Sequence, residues 1–353
     1  MTNERKPIVP ARDETFRHSL FAIRHFAESD QEILQINTLA SEKAHKGIDL
    51  LERGGSENLI EAIRYFDEVI ALRRNMPFHE RPYLRYGYTA GWLNRGDAFT
   101  RLGSPVHLVE GLRSFDIALE ELRYLPPGEH PLFRRRHAIA WTNRGRTLLE
   151  ISTPQSLVEA VRSFDRALKL VEPGDAEHQA IIWMNRANAL LRTGPSHGEE
   201  AADSARQSIA LAENRCTAFQ ARFVLCQALS IHAADRKPIE EIGDIIDEAM
   251  ELARGEGVTF PLVVDFFRFG CRFYEACQPQ FLAEFVLENV DPESPDMIRA
   301  AEEAIHRGIH SIRSNFRFVG TPEHELVLDR LQDLRLAAEK LAMLTTRLSP
   351  SRQ

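Results

Sequence analysis

Cysteine, lysine and long apolar runs are scarce in this chain, and each shortage excludes something. The four cysteines, Cys216, Cys226, Cys271 and Cys277, form no C-x-x-C spacing and have no partnered histidines, so neither a disulfide framework nor a zinc site is expected. Six of the 44 basic residues are lysine, which leaves almost all positive charge on arginine, whose planar fork suits fixed pairs with carboxylates. The formal net charge is -8, so no chain-wide basic excess points to nucleic acid. No stretch reaches the roughly 18 apolar residues of a membrane helix, since "FPLVVDFFRFG" is interrupted by Asp265 and Arg268. Residues 1–12, "MTNERKPIVPAR", carry mixed charge and two prolines but no apolar core, which predicts a disordered start rather than a secretory signal. A cytoplasmic protein is the expectation.

Motifs of catalysis are missing as well. There is no G-x-S-x-G, H-E-x-x-H, P-loop or G-x-G-x-x-G, so no enzymatic activity and no cofactor is expected. His306 and His310 stand four apart in "HRGIH" and would share one helix face, but no third ligand accompanies them and no metal site is expected.

What the chain has in abundance is repetition. "WLNRG" at Trp92, "WTNRG" at Trp141 and "WMNRA" at Trp183 recur at intervals of 49 and 42 residues. Each opens a helix-length segment with apolar or small residues at helical spacing, such as Trp92, Gly96, Phe99 and Leu102. Turns follow, "LGSP" and "ISTP", in which Ser104 and Thr153 can cap the next helix while Pro105 and Pro154 take its first position. The second helices read "GLRSFDIAL" from Gly111 and "AVRSFDRAL" from Ala160, with an earlier copy, "AIRYFDEVI", from Ala62. One active site has no use for three copies of itself, whereas stacked hairpins need the same packing residues at every step.

Trp92, Gly96, Phe99, Gly111, Phe115 and Ala118, repeated as Trp141, Gly145, Leu148, Ala160, Phe164 and Ala167, resemble the tetratricopeptide repeat (TPR). Glycine and alanine would let paired helices approach while Trp and Phe, including Phe66 of the earlier copy, fill the space between them. The units depart from the family in being longer than its usual 34 residues, in placing Arg95, Arg144 and Arg186 before the small residue, and in their Pro-rich links. Long units with such links, as in "RALKLVEPGDAEHQAIIWMNRANAL", are similar to those of kinesin light chains and their bacterial relatives. The resemblance implies an all-α, right-handed α-solenoid over residues 13–320, clearest over 36–252, followed by a C-terminal capping helix and tail over 321–353.

It also implies function. In the general repeat the first helices line a concave groove, and Asn94, Asn143 and Asn185 match asparagines that hold the backbone of an extended peptide. One turn onward, Asp97 and Arg101, Arg146 and Glu150, and Asn188 and Arg192 become candidate side-chain contacts. The expected activity is that of a non-enzymatic scaffold for a peptide or protein surface. A kinesin-light-chain-like adaptor on a bacterial tubulin-type cytoskeletal filament is the alternative, and a self-assembling structural protein a further one.

The remaining signals read as structure. Asp67, Asp116 and Asp165 recur as regularly as the arginines, which predicts an internal Arg–Asp ladder; were its pairs buried, Asp116→Ala would cost about 3 to 5 kcal/mol. Phe266, Phe267, Phe269, Phe273, Tyr274, Phe281 and Phe285 surround their helix and predict core packing rather than a docking face. Val327, Leu331, Leu334, Ala338, Leu341 and Leu348 form a 4-3 stripe on the last helix, expected to cap the array in a monomer rather than to dimerise.

Overall fold

The computed structural model describes residues 31–231, 236–314 and 322–348, and every regular element among them is helical. Residues 1–30, which include the expected disordered start and an expected helix over 13–30, lie outside the described residues. Contacts divide the chain into two compact units, Met1–Leu211 and Ala212–Gln353. The division falls within the span expected from the sequence to be one array.

The first unit holds α1 (Gln31–Arg53), α2 (Ser56–Arg73), α3 (Pro82–Leu102), α4 (Pro105–Leu122), α5 (Pro131–Ile151), α6 (Pro154–Leu168), α7 (Ala176–Thr193) and α8 (Gly198–Leu211), with a 3-10 turn at Pro195–His197. Each helix packs on the next, giving four hairpins in succession, and the first helices of the hairpins, α1, α3, α5 and α7, also touch one another in order. This sequential pairing is the arrangement of an α-solenoid.

The local sequence explains the boundaries. Ser104 accepts a hydrogen bond from the His107 N–H and Thr153 forms a capping box with Ser156, while Pro105 and Pro154 occupy the first turns, as the "SP" and "TP" pairs predict. His130 and Asp175 cap α5 and α7 in the same way, each with its side chain accepting a backbone N–H. Gly103, at φ 71, ends α3 in the left-handed conformation that glycine adopts freely.

Within each of the first three hairpins a phenylalanine ring meets a glycine. Phe66, Phe115 and Phe164 are fully buried, and a Cβ built on Gly47, Gly96 or Gly145 would stand 2.7, 2.8 or 2.6 Å from the facing ring. No side chain fits there while the ring stays in place. The fourth hairpin solves the same contact differently, with Ala187 and Ala205 both fully buried at the equivalent positions. Two buried alanines thus stand where the earlier hairpins have a glycine and a phenylalanine.

The second unit holds α9 (Arg215–Ser230), α10 (Arg236–Ala253), α11 (Phe260–Cys277), α12 (Leu282–Asn289), α13 (Pro295–Ser314) and α14 (Pro322–Leu348). Its core is aromatic. Phe266 lies edge-on to Phe219 and Phe223 at 5.1 and 5.0 Å, and Phe285 stacks on Phe267 and lies 4.8 Å from Tyr274. Phe266, Phe267, Phe273, Tyr274 and Phe285 are buried as expected, whereas Phe260 and Phe281 stay exposed. Along α14, Leu331, Leu334, Ala337 and Leu341 are buried, and the helix packs on α13 and α12. Ala337, not Ala338, takes the fourth position of the stripe, and Leu348 is exposed.

Gly145→Ala is expected to destabilise the protein by about 1 to 3 kcal/mol through overpacking against Phe164. Gly145→Ala combined with Phe164→Leu is expected to cost less than the two single changes added together, and a denaturation double-mutant cycle measures the difference.

Candidate partner-binding face

Three arginines set the geometry of the first helices. Arg95 on α3, Arg144 on α5 and Arg186 on α7 each donate Nε–H to an aspartate on the preceding second helix, Asp67, Asp116 and Asp165, at 2.7, 2.7 and 2.8 Å. Each also donates Nη1–H to a serine of its own second helix, Ser114, Ser163 or Ser204, at 2.7, 2.9 and 2.7 Å. A glutamate four residues before each serine, Glu110, Glu159 or Glu200, completes the set at 3.5, 3.8 and 2.5 Å. One guanidinium therefore joins three helices. For Arg186, burial favours the neutral form, but hydrogen bonds to Asp165 and Glu200 outweigh it and raise the pKa.

The expected Arg–Asp ladder is present, but its energetics differ from a buried pair. The Arg144 side chain is 16% exposed while Asp116 is 51% exposed, so water screens the carboxylate. The serines and glutamates of the clamp carried a sequence signal that the Arg–Asp reading passed over, namely the repeated E-x3-S-F-D of α4 and α6.

Asn94, Asn143 and Asn185 occupy the same register on α3, α5 and α7, each half-buried and each beside a clamp arginine. The Asn185 amide donates to the Ile181 carbonyl at 2.9 Å, which orients it and leaves its oxygen to accept. Asp97 and Arg101 are brought together as an ion pair at 2.7 Å, both 15% exposed, and Arg101 donates its other Nη to the Leu51 carbonyl at the end of α1. Two hairpins on, at the same register, Arg192 reaches the Ser152 hydroxyl at the end of α5. Arg101 thus supplies a donor at the end of α1, where backbone carbonyls lack intrahelical partners, whereas Arg192 bonds the side chain of the residue that ends α5. Arg146 and Asn188 are half-buried, and Glu150 is exposed.

Near the start of these helices, His178 on α7 lies 3.3 Å from the Thr142 hydroxyl and 3.5 Å from Asp175. Burial pulls its pKa below 6.5, against the attraction of Asp175, with Arg135 adding to the lowering. In the second unit, His306 turns its Nδ1 to the Glu302 carbonyl, and among the described residues no three His, Cys, Asp or Glu side chains gather as a metal site. No described helix is long and apolar enough to cross a membrane.

No known protein-family model matches the chain, and no curated protein does. Among solved structures it is similar to a chain described under "Computational Design of Self-Assembling Cyclic Protein Homooligomers", at 12% identity, over 89% of this chain and 97% of that one, with a TM-score of 0.18. A likeness at that score carries no argument about fold or assembly.

Asp116→Ala is expected to cost about 0.5 to 1 kcal/mol, the range of a screened surface pair, while Arg144→Ala costs about 2 to 3 kcal/mol because it removes charged bonds to two helices and uncovers Trp141. Urea denaturation of the two variants measures the contrast. His178 has a folded pKa below its unfolded value, so its contribution to stability is present above pH 6.5 and is lost as the pH falls below it. Between pH 7.5 and pH 5, thermal melts are expected to fall further for the wild type than for His178→Gln.

Proposed function

We propose that the first unit is a non-enzymatic interaction scaffold: a right-handed solenoid of TPR-like hairpins whose first helices line a groove for an extended peptide or protein segment. The observation that carries this reading is the shared register of Asn94, Asn143 and Asn185 on helices that touch in succession and are fixed by identical arginine clamps. An amide both donates and accepts, so a row of three would hold a peptide backbone whatever its side chains.

The energetics place a demand on the rest of the groove. Three hydrogen bonds at about 0.5 to 1.5 kcal/mol each supply less than the roughly 8 kcal/mol of micromolar binding. Arg146, Glu150 and Asn188 are the candidates for the remainder, since Arg101 and Arg192 are tied to helix ends. In the second unit α14 takes the part of a capping helix, and the burial of its Leu331–Leu341 stripe favours a monomer over a coiled-coil dimer.

The test is selection from a library of random extended peptides on the immobilised full chain, beside an Asn94, Asn143, Asn185 triple-Ala variant. The variant is expected to melt within about 1 °C of wild type and to bind the selected peptides on the order of 10 to 1,000 times more weakly. Equal binding by the two proteins, or no enrichment by wild type, would contradict the reading.

A further inference from the structure

Two arginines stand where the repeat otherwise places uncharged residues. Arg73, seven residues after Phe66 on α2, holds the position of Leu122 on α4 and of Val171 in the third hairpin, both buried apolar residues. Arg136, five before Trp141 on α5, holds the position of Gly87 on α3. At Arg73 charge enters a column that is otherwise buried and apolar, and at Arg136 it stands where α3 has Gly87 and α7 has His178. Departures of this kind from a local rule concentrate at functional sites.

The structure brings the two together. Arg73 is 4% exposed and Arg136 7%. Arg73 donates from Nε to Asn37 Oδ1 at 3.1 Å, from Nη1 to the Gly87 carbonyl at 2.8 Å and from Nη2 to Ser41 Oγ at 2.9 Å. The bare Cα of Gly87 makes room for it, since a Cβ there would lie 3.0 Å from the guanidinium carbon. One residue away, the Arg136 guanidinium lies over the Tyr86 ring at 3.9 Å, and its Nε is buried with no hydrogen-bond partner.

Among the described residues both arginines meet only neutral groups. Arg85, Arg95, Arg144 and Arg186 in the same unit each meet a carboxylate, whereas Arg73 and Arg136 are paired with none among the described residues. Burial and the neighbouring Arg136 charge push the Arg73 pKa down to about 10. Two desolvated cations without a counter-charge are costly, and a buried N–H without an acceptor adds to the cost.

We propose that Arg73 and Arg136, together with the Asn37 amide N–H, form a site for a phosphate group held between α1, α2 and α5. A dianion matches the two guanidinium charges, and each arginine keeps N–H donors that the protein does not engage. The burial of both side chains admits only a terminal group, either free inorganic phosphate or the end of a phosphate monoester. This site is independent of the asparagine row and stands whether or not the groove binds peptides.

The test is calorimetric titration of the full chain with inorganic phosphate at constant ionic strength set by chloride, with thermal melts over the same range. Wild type is expected to show saturable one-site binding and a melting temperature that rises with phosphate. Arg136→Met is expected to bind at least tenfold more weakly and, without phosphate, to melt at or above the wild-type temperature, because an uncompensated charge has been removed. Arg136→Gln serves as a second variant that keeps polarity. Glycerol phosphate in place of inorganic phosphate separates the sources: equal binding marks a monoester site, and binding of inorganic phosphate alone marks a free-ion site. Absence of saturation in wild type, or the same response in wild type and Arg136→Met, would overturn the proposal. So would a phosphate-free melt of both variants well below wild type, which would make Arg136 a structural residue.

Discussion

The first unit depends on one interaction made three times: an arginine on a first helix held by an aspartate of the previous second helix and by a serine and glutamate of its own. Hairpins that merely stack through apolar faces can slide or rotate, because dispersion and hydrophobic contact have little direction. A planar guanidinium bonded on three sides has direction. Arg95, Arg144 and Arg186 therefore convert a stack into a register, and any row of side chains beside them inherits that register. The Gly–Phe contacts set the spacing within the first three hairpins and the arginines set the spacing between hairpins.

The clamp also explains why the array can be built from half-exposed carboxylates. Each aspartate contributes modestly because water competes for it, yet the guanidinium is mostly buried and meets several partners at once. Loss of a carboxylate leaves other bonds in place, whereas loss of the arginine releases them all. The fourth hairpin shows where the series stops: Arg206 stands where Asp67, Asp116 and Asp165 stand earlier.

Much of this was legible in the sequence because it repeats. Trp, Gly, Phe, Arg and Asp recur in fixed order, so helix hairpins and the Arg–Asp pairing could be read from spacing, and the Gly and Phe packing roles from the repeat family that the pattern resembles. The half-exposure of the aspartates could not, since it depends on where neighbouring hairpins leave the surface open. Arg101 read as a candidate peptide contact because one of its partners is the Leu51 carbonyl, 50 residues earlier, and a backbone acceptor leaves no mark in a pattern of side chains. Arg73 and Arg136 escaped notice for the opposite reason. They break the repeat, and a search for recurrence passes over the positions where recurrence fails.

The central claim, that each arginine holds neighbouring hairpins in register, is tested most directly by amide hydrogen exchange on Arg144→Met. Stability in such an array is a sum over units and the interfaces between neighbours, so loss of one clamp should act at one junction. Faster exchange is expected in α4, α5 and α6, with α1 and α2 unchanged from wild type. Exchange unaltered in α4, or raised equally across the whole unit, would contradict the account.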